Sequence, residues 1–422
     1  SGISIIIVGC GFAGLSCAIE SFRKGHSVVI LEKDPEHRQL GDIIALGLNV
    51  GPFIDRWGLH DTPPRLLTLS SHSNSLWPVC GHAEYVHFHK YKGELVEKQD
   101  FSQALYGTHA CNGHRAEMHQ LLVDYAIGLG IEVRMGEDIT EFFEDIERGK
   151  ALVVSNEVRI EADVVVGADG VRSKGRTLVL GHEDKAMSSG YAIYRTWFNA
   201  KEAGVDKDPL TQFLATDEDL LYGWLGPDVH LLVANTRRGE TVTCLLTHKD
   251  TVDVSTRTQF EGNKDDVLEI VKDWDPRCNA ILFKAPSFVD WKILYRDPLL
   301  TWVSPGARMV LIGDAAHTFL PTSLQGGSQA MEDGVSLAYV LQIAGRDNIP
   351  LTFQTWEHLR YRRVRHAQLL GFDTRTRWHN LTPESRGDEL NAPGPEWLVN
   401  FDAERDTYER WAEVSEKIKT EG

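Results

Sequence analysis

The sequence predicts an α/β protein: a Rossmann-like domain with a parallel sheet, a sheet-rich domain inserted into it, and helices at the C-terminal end. Three observations carry this prediction. Ile3 to Val8 is an unbroken, largely β-branched apolar run ending on Gly9-Cys10-Gly11-Phe12-Ala13-Gly14, the pattern of a strand covered on both faces and followed by a tight turn. A helical stretch from Ala13 to about Lys24 and a second apolar strand, Ser27 to Leu31, complete one βαβ unit. From Leu66 to Lys92, and again from about Ser188 to Phe288, polar and apolar residues alternate (LTLSSHSNSLWPV, YVHFHKY, YAIYRTWF, HLLVAN, TVTCLLT), which predicts antiparallel strands with one covered face.

The remaining elements follow in order. A helix is expected at Arg115 to Leu129, then Ile131 to Arg134, short strands near 139–144, 151–154 and 157–160, and a buried strand at Val164 to Val166. One helix is expected near 264–273 and another apolar strand at Arg308 to Ile312. Helices at roughly 325–344 and 352–371 come next, and the tail from Asn380 is rich in Pro and charge before turning helical. The expected domains are 1–65, 93–185 and 290–345 for the dinucleotide-type domain, 66–92 and 186–289 for the substrate domain, and 346–422 for a helical C-terminal region.

Composition narrows the function classes. With 42% hydrophobic and 25% charged residues, the chain can bury a large core, so disorder, collagen and coiled coil are excluded. A formal charge of −17 gains nothing from a phosphate backbone, so nucleic acid is excluded as a partner. Six scattered Cys without CxxC spacing read as reduced and intracellular, and Ile3 to Ile19 is too short and too broken by glycine to span a membrane. The expected location is therefore cytoplasmic, with no membrane partner. His82, His87 and His89 with Cys80 read as polar positions of an alternating strand, and no metal is expected. Arg360, Arg362, Arg363 and Arg365 read as a solvated helix face.

Three glycine-bearing motifs carry the chemistry. In the first, Gly9, Gly11 and Gly14 permit the turn, backbone approach to a pyrophosphate and close packing of helix on strand, while the helix N-terminus offers free N–H groups. Glu32, at the end of the next strand, is placed to accept hydrogen bonds from an adenosine ribose and disfavours a 2′-phosphate, so the site should hold FAD or NAD. The second is Gly167-Ala168-Asp169-Gly170-Val171-Arg172-Ser173, which by itself equally describes a capped strand-to-helix turn. The third is Gly313-Asp314-Ala315-Ala316-His317, with Pro321 and then Gln325-Gly326-Gly327 opening a long helix, where a carboxylate can bind a ribityl hydroxyl and glycines let backbone lie against a planar ring.

In that order, GCGFAGL with Glu32, GADGVRSKGR and GDAAHTFLPTSLQGGSQAMEDG, the chain resembles the single-component FAD-dependent aromatic hydroxylases of the p-hydroxybenzoate and salicylate hydroxylase type, fungal secondary-metabolite members among them. The resemblance implies FAD as cofactor and NADH or NADPH as a transient reductant, without a second GxGxxG domain. It implies that Gly9, Gly11, Gly14 and Glu32 hold the ADP half, that Arg115 reaches the pyrophosphate or ribityl region, and that Asp169 and Gly170 lie near FAD and the nicotinamide. Asp314 is implied for the ribityl chain, with Pro321, Gly326 and Gly327 beside the isoalloxazine. The implied reaction is NAD(P)H- and O2-dependent hydroxylation or epoxidation of a small electron-rich aromatic, phenolic or indole, through a flavin C4a-hydroperoxide.

Tyr191, Tyr194, Trp197 and Phe198 around Arg195, with Tyr222 and Trp224, are expected to floor the substrate cavity. Arg195 and Asp42 are the candidate catalytic pair, orienting substrate and managing protons. A monomer or homodimer is expected. The named alternative is indole 2,3-epoxidation with migration to a spiro-oxindole. A flavin halogenase is a further alternative, against which Tyr222-Gly223-Trp224-Leu225-Gly226-Pro227 lacks the WxWxIP pattern, and a non-catalytic flavin redox protein is the last.

Overall fold

A computed structural model describes residues 2–36, 43–59, 75–101, 104–105, 108–250, 259–296, 298–381, 391–392 and 394–421. At its centre is a five-stranded parallel sheet in the spatial order Met309–Leu311, Val164–Gly167, Ser4–Val8, Ser27–Glu32, Glu132–Met135. Its middle strands are buried along nearly their whole length because both faces are covered, which is why they read as unbroken apolar runs. One face carries the opening helix Phe12–Arg23 and the helix Gly326–Ala344. These two approach so closely that a Cβ at Gly334 would lie 2.5 Å from the backbone nitrogen of Cys17. On the other face the antiparallel ribbon Ile139–Asp145, Lys150–Ser155, Val158–Ala162 contributes Phe142, Ala151 and Val153 to the same core.

The second layer is an eight-stranded sheet in the order Gln259–Gly262, Phe288–Tyr295, Met187–Asn199, Thr241–Lys249, Val229–Thr236, Leu220–Gly226, Tyr85–Lys90, Leu95–Asp100. Two expectations are corrected here. Tyr85–Lys90 pairs antiparallel with Leu95–Asp100 but parallel with Leu220–Gly226, because the two chain segments come from different insertions into the central domain. The sheet also runs past the expected domain limits at 92/93 and 289/290, taking in Leu95–Asp100 and all of Phe288–Tyr295, since strand pairing continues across both. The first part of the expected alternating stretch, 66–74, lies outside the described residues.

The back of this sheet is covered by Lys264–Ile270 and a second helix, Pro276–Lys284, which the sequence reading missed. Its signal was present: the Asp275 carboxylate accepts the Arg277 N–H at 3.0 Å and Pro276 occupies the first helical position, the ordinary start of a helix. Across the front runs the long helix Ile349–His379, about two turns beyond the expected end at 371, with Trp378 packed against Val86, Phe88 and Leu225. The last helix, Ala403–Glu421, packs on Gly326–Ala344 and on the long helix.

Candidate functional site

The glycine-rich turn has a distinct use for each of its glycines. Gly9 stands at φ +106°, and a Cβ there would lie 2.3 Å from the Ala168 carbonyl oxygen. At Gly14 a Cβ would fall 2.0 Å from the carbonyl oxygen of Gly9, so this position lets the helix seat on the turn. Gly11 differs, being exposed with no atom within 4 Å of where its Cβ would stand. Protein packing therefore explains the first and third glycines and leaves the second facing open space at the positive end of a 12-residue helix. Glu32 accepts the Cys10 N–H at 2.8 Å and the Asp34 N–H at 3.0 Å, so its carboxylate first fastens the turn to the second strand. Each oxygen keeps a further lone pair for a ribose hydroxyl.

Asp314 and Arg115, far apart in sequence, are brought together. Asp314 is solvent-exposed, yet so enclosed by protein that burial raises its pKa, with His317 and Arg115 pulling the other way. Arg115 shows the same combination: partly accessible, but desolvated enough to lower its pKa, with Asp314 opposing. Groups that touch solvent and are nevertheless desolvated line the wall of a cleft. Asp169 is partly buried; its carboxylate accepts the Lys174 N–H at 2.8 Å and the Gly175 N–H at 3.4 Å, closing the turn before Arg176–Leu180. Gly170, at φ +76°, has open space at its Cβ position. An open cradle at Gly11, a carboxylate with free lone pairs at Glu32 and a cleft carrying Arg115 and Asp314 fit an extended dinucleotide. Gly326 and Gly327 open the 19-residue helix as expected, but the space at their Cβ positions is held by Phe319 at 3.3 Å and by Leu46 and Ile44 at 2.9 and 3.1 Å, so smallness there also serves packing.

Strand parity sorts the expected substrate residues into two sets. On the front of Met187–Asn199, Arg195 is buried with its guanidinium 4.1 Å from the Trp291 ring centroid, a ring that also lies 5.7 Å from Arg115. Burial lowers the Arg195 pKa from its ordinary value. Tyr191 and Trp197 share that front face, and Trp197 lines a cavity of about 200 Å³ with Val79, His114, Glu117, Thr236 and Arg237. A second, narrow crevice of about 10 Å³, room for one small polar group, lies between Ser189, Tyr191, His230, Thr247 and Ile293 of the sheet and Leu320, Pro321 and Thr322, with Arg375 at its side.

Tyr194, Tyr222 and Trp224 point the other way, and the expectation that they floor the cavity is corrected. Tyr194 stacks on His248 at 4.3 Å and packs with Trp224 and Phe198 in the core beneath the two back helices. Tyr222 stacks on His87 at 4.9 Å and on Trp224 at 5.7 Å. Trp224 donates its indole N–H to Asp275 at 2.9 Å. Side chains at even offsets share a face, so Arg195 at the front puts Tyr194 and Phe198 at the back. Asp42 lies outside the described residues.

Under the third motif sits a buried ionic cluster that the sequence reading placed in water. Arg360 donates to Asp333 Oδ1 at 2.9 Å and to Glu332, and Arg363 reaches both oxygens of Glu332 at 2.8 Å. Burial works to raise the pKa of both carboxyls; Arg363 and Arg360 for Glu332, and His317 and Arg360 for Asp333, outweigh it and hold both below the ordinary range. Asp333 Oδ2 also accepts the Gly313 N–H at 3.0 Å and meets His317 Nε2, fixing the backbone next to Asp314. Asn49 adds a hydrogen bond to Glu332 from the neighbouring chain segment.

Comparison with known proteins decides the family. Residues 3–367 match the family described as an FAD binding domain. The chain is 33% identical to the asperlicin C monooxygenase of Petromyces alliaceus, over 99% of this chain and 90% of that protein. It is 33% identical to the FAD-dependent monooxygenase nodY2 of Hypoxylon pulicicidum, over 100% and 94%. The chain belongs to this family of FAD-dependent monooxygenases. The crystal structure of CtdE in complex with FAD and a substrate superposes on this monooxygenase with a TM-score of 0.89 at 31% identity, covering 99% of this chain and 100% of that one. A salicylate hydroxylase substrate complex, at 18% identity and a TM-score of 0.77, shares the fold.

FAD is accordingly the cofactor that the cleft fits. Among the described residues, no helix is long and apolar enough to cross a membrane, and no group of three His, Cys, Asp or Glu is placed to hold a metal ion. The contact of the His119 ring with the Cys10 carbonyl at 2.5 Å, and the pairing of His230 with His379 at the second crevice, are placements that sequence reasoning missed. Nothing in sequence spacing joins positions 149 residues apart.

Proposed function

We propose that this monooxygenase uses NADH or NADPH and O2 to place one oxygen atom on an electron-rich aromatic, phenolic or indole, held between the front of the eight-stranded sheet and the Leu320–Thr322 segment. The balance is one reduced nicotinamide, one proton, one O2 and one substrate giving oxidised nicotinamide, water and oxygenated product. FAD, when bound, supplies the oxygen-activating chemistry; the chain must bind, orient and keep water out. The observation that carries this reading is the buried Arg195, which shares the Trp291 ring with Arg115 of the cofactor cleft and so puts a cation of the sheet's front face next to the middle of the cofactor site. Gly9, Gly11, Gly14 and Glu32 would hold the ADP half, Arg115 and Asp314 the middle of the cofactor, and the helix beginning at Gly326 would turn its positive end to the ring. Arg195, buried against Trp291 on the front face, would orient the substrate by holding a phenolate or amide oxygen, or polarise the oxygen of an epoxide. Asp42 remains its proposed partner.

The test is a screen of phenols and indoles with the FAD-loaded protein. A substrate accelerates NAD(P)H oxidation and yields a product heavier by one oxygen, and the carbon skeleton by NMR separates hydroxylation from 2,3-epoxidation followed by migration. A chlorinated product would point to halogenation, and the absence of any stimulated NAD(P)H oxidation to a non-catalytic flavoprotein. Arg195→Ala and Asp42→Ala proteins that keep FAD and form product at full rate would remove both from the mechanism.

A further inference from the structure

The crevice facing Pro321, wide enough for one polar group of a substrate and not for its ring, carries a histidine pair that the proposed chemistry does not use. His230, on the sheet, places Nδ1 2.9 Å from Nε2 of His379, the last residue of the long helix, and Nε2 3.0 Å from Thr247 Oγ1. His230 and Thr247 both line the cavity. Trp378 meets the His230 ring edge-on at 5.2 Å, so the helix end holds the imidazole on two sides. We propose that Thr247, His230 and His379 together recognise an uncharged amide on the substrate; the proposal rests on the reading that the substrate is held beside this crevice.

Proton counting supports it. A neutral imidazole carries one N–H, so the chain has two complete arrangements. In one, the Thr247 hydroxyl donates to His230 Nε2, His230 Nδ1–H donates to His379, and the Thr247 lone pairs are left for a substrate N–H. In the other, His379 Nε2–H donates to His230, His230 Nε2–H donates to Thr247, and the hydroxyl hydrogen is left for a substrate carbonyl. Neither creates charge, and His379 Nδ1, buried without a hydrogen-bond partner among the described residues, tolerates being donor or acceptor. One short hydroxyl can thus satisfy either end of an amide.

The alternative role, a base that takes a phenol proton, fails on magnitude. Burial, with His379 alongside, lowers His230 to about 3; burial lowers His379 to about 4, with Asp228 opposing and Arg375 and Lys249 assisting. A phenol titrates near 10, so holding its proton on this chain is uphill by about six decades. The charged groups around it are occupied at the rim. Tyr191 donates to Asp228 at 3.1 Å, Lys249 pairs with Asp228 at 2.6 Å, and Arg375 lies over Tyr191 at 5.3 Å.

The test is equilibrium binding, read as perturbation of bound-FAD absorbance in the oxidised holoenzyme, with indole-3-acetamide, its N,N-dimethyl amide and indole-3-acetate. The amide should bind at least about tenfold more tightly than the acetate, the size of one satisfied against one unsatisfied buried hydrogen bond, with the dimethyl amide between. Thr247→Val and His230→Phe should bring the three ligands within about twofold while Thr247→Ser keeps the order. FAD content should stay level for the Thr247 variants, and the melting temperature for Thr247→Ser, while Thr247→Val melts lower by the hydrogen bond that His230 loses. An acetate that binds as tightly as the amide, which would put Arg375 in charge, overturns the proposal. So does an amide without saturable binding, or an unchanged preference in Thr247→Val. Failure of the oxygenation reading would show separately, as no aromatic stimulating NAD(P)H oxidation.

Discussion

Replacing Gly11 and Gly14 by alanine should separate what the first motif does for the fold from what it does for the cofactor. At Gly14 the new Cβ would sit 2.0 Å from the Gly9 carbonyl oxygen, more than 1 Å inside any real contact, and that atom is backbone in a turn whose other side is pinned by Leu31 and Ala168. Alanine returns about 1 kcal/mol of helix propensity, but overpacking a rigid site costs about 1–3 kcal/mol, so Gly14→Ala should lose net stability even as apoprotein. At Gly11 the backbone is already extended (φ −77°, ψ −179°) and the Cβ position is open, so Gly11→Ala apoprotein should melt within about 1 °C of the parent. Its cost appears on binding: a methyl where a pyrophosphate should approach removes charge-assisted backbone bonds worth about 1.5–3 kcal/mol each, a 10- to 100-fold or greater loss of FAD affinity. Thermal melts of both apoproteins and FAD titration by flavin fluorescence quenching measure the two effects. A Gly11→Ala protein binding FAD as tightly as the parent would refute the placement of the pyrophosphate, and a Gly14→Ala apoprotein of undiminished stability would refute the packing argument.

Three further outcomes follow from the geometry. Arg360→Met should lower stability by about 3–5 kcal/mol in urea unfolding, because it takes the arginine from the fully buried Asp333 and leaves the fully buried Glu332 with Arg363 alone. His230 and His379 titrate below their ordinary 6.5, so the folded state binds fewer protons than the unfolded one; stability is complete above about 6.5 and falls as pH drops towards 4, by about 2 kcal/mol per histidine at pH 5, with the slope reduced in His230→Phe. Trp224→Phe should lower the melting temperature, through a lost 2.9 Å hydrogen bond to Asp275 and a thinner core, and leave the KM of any substrate found in the screen unchanged.

The three glycine motifs were legible in sequence because each answers to a local backbone demand: a positive φ at Gly9, at Gly170 and at Gly313, and a helix seated on the turn at Gly14. The same local logic accounts for two of the differences between sequence and structure. YAIYRTWF alternates, so Tyr194 and Phe198 cannot share the face of Arg195, whatever their aromatic character. The arginines of the long helix were read without the acidic pair they answer: Glu332 and Asp333 stand in an otherwise apolar run, and two carboxylates in a buried helix require cations from a neighbour. Arg360 and Arg363, three apart on one helix face, are those cations. By contrast, His230 with His379, and Arg115 with Asp314, are juxtapositions made only by the fold.

That ionic cluster explains how one helix serves two sites. Near its middle the long helix grips Glu332 and Asp333, and through Asp333 the backbone of Gly313 beside Asp314. Further along, Gln368 donates to the Thr318 carbonyl at 2.8 Å and the Gly371 carbonyl accepts the Thr322 hydroxyl at 2.7 Å, while Gly371 lacks the Cβ that would lie 2.9 Å from Ser323. Its end delivers Trp378 and His379 to His230 on the sheet. The segment expected beside the flavin ring and the polar wall of the cavity are therefore referenced to one rigid element. An acidic chain has reason for such an arrangement: its net charge of −17 opposes anionic cofactors, so the few local attractors, Arg115 and the two helix N-termini, must be held in register to act together. Burying the cations of the long helix against Glu332 and Asp333 spends them on that register instead of on the surface field.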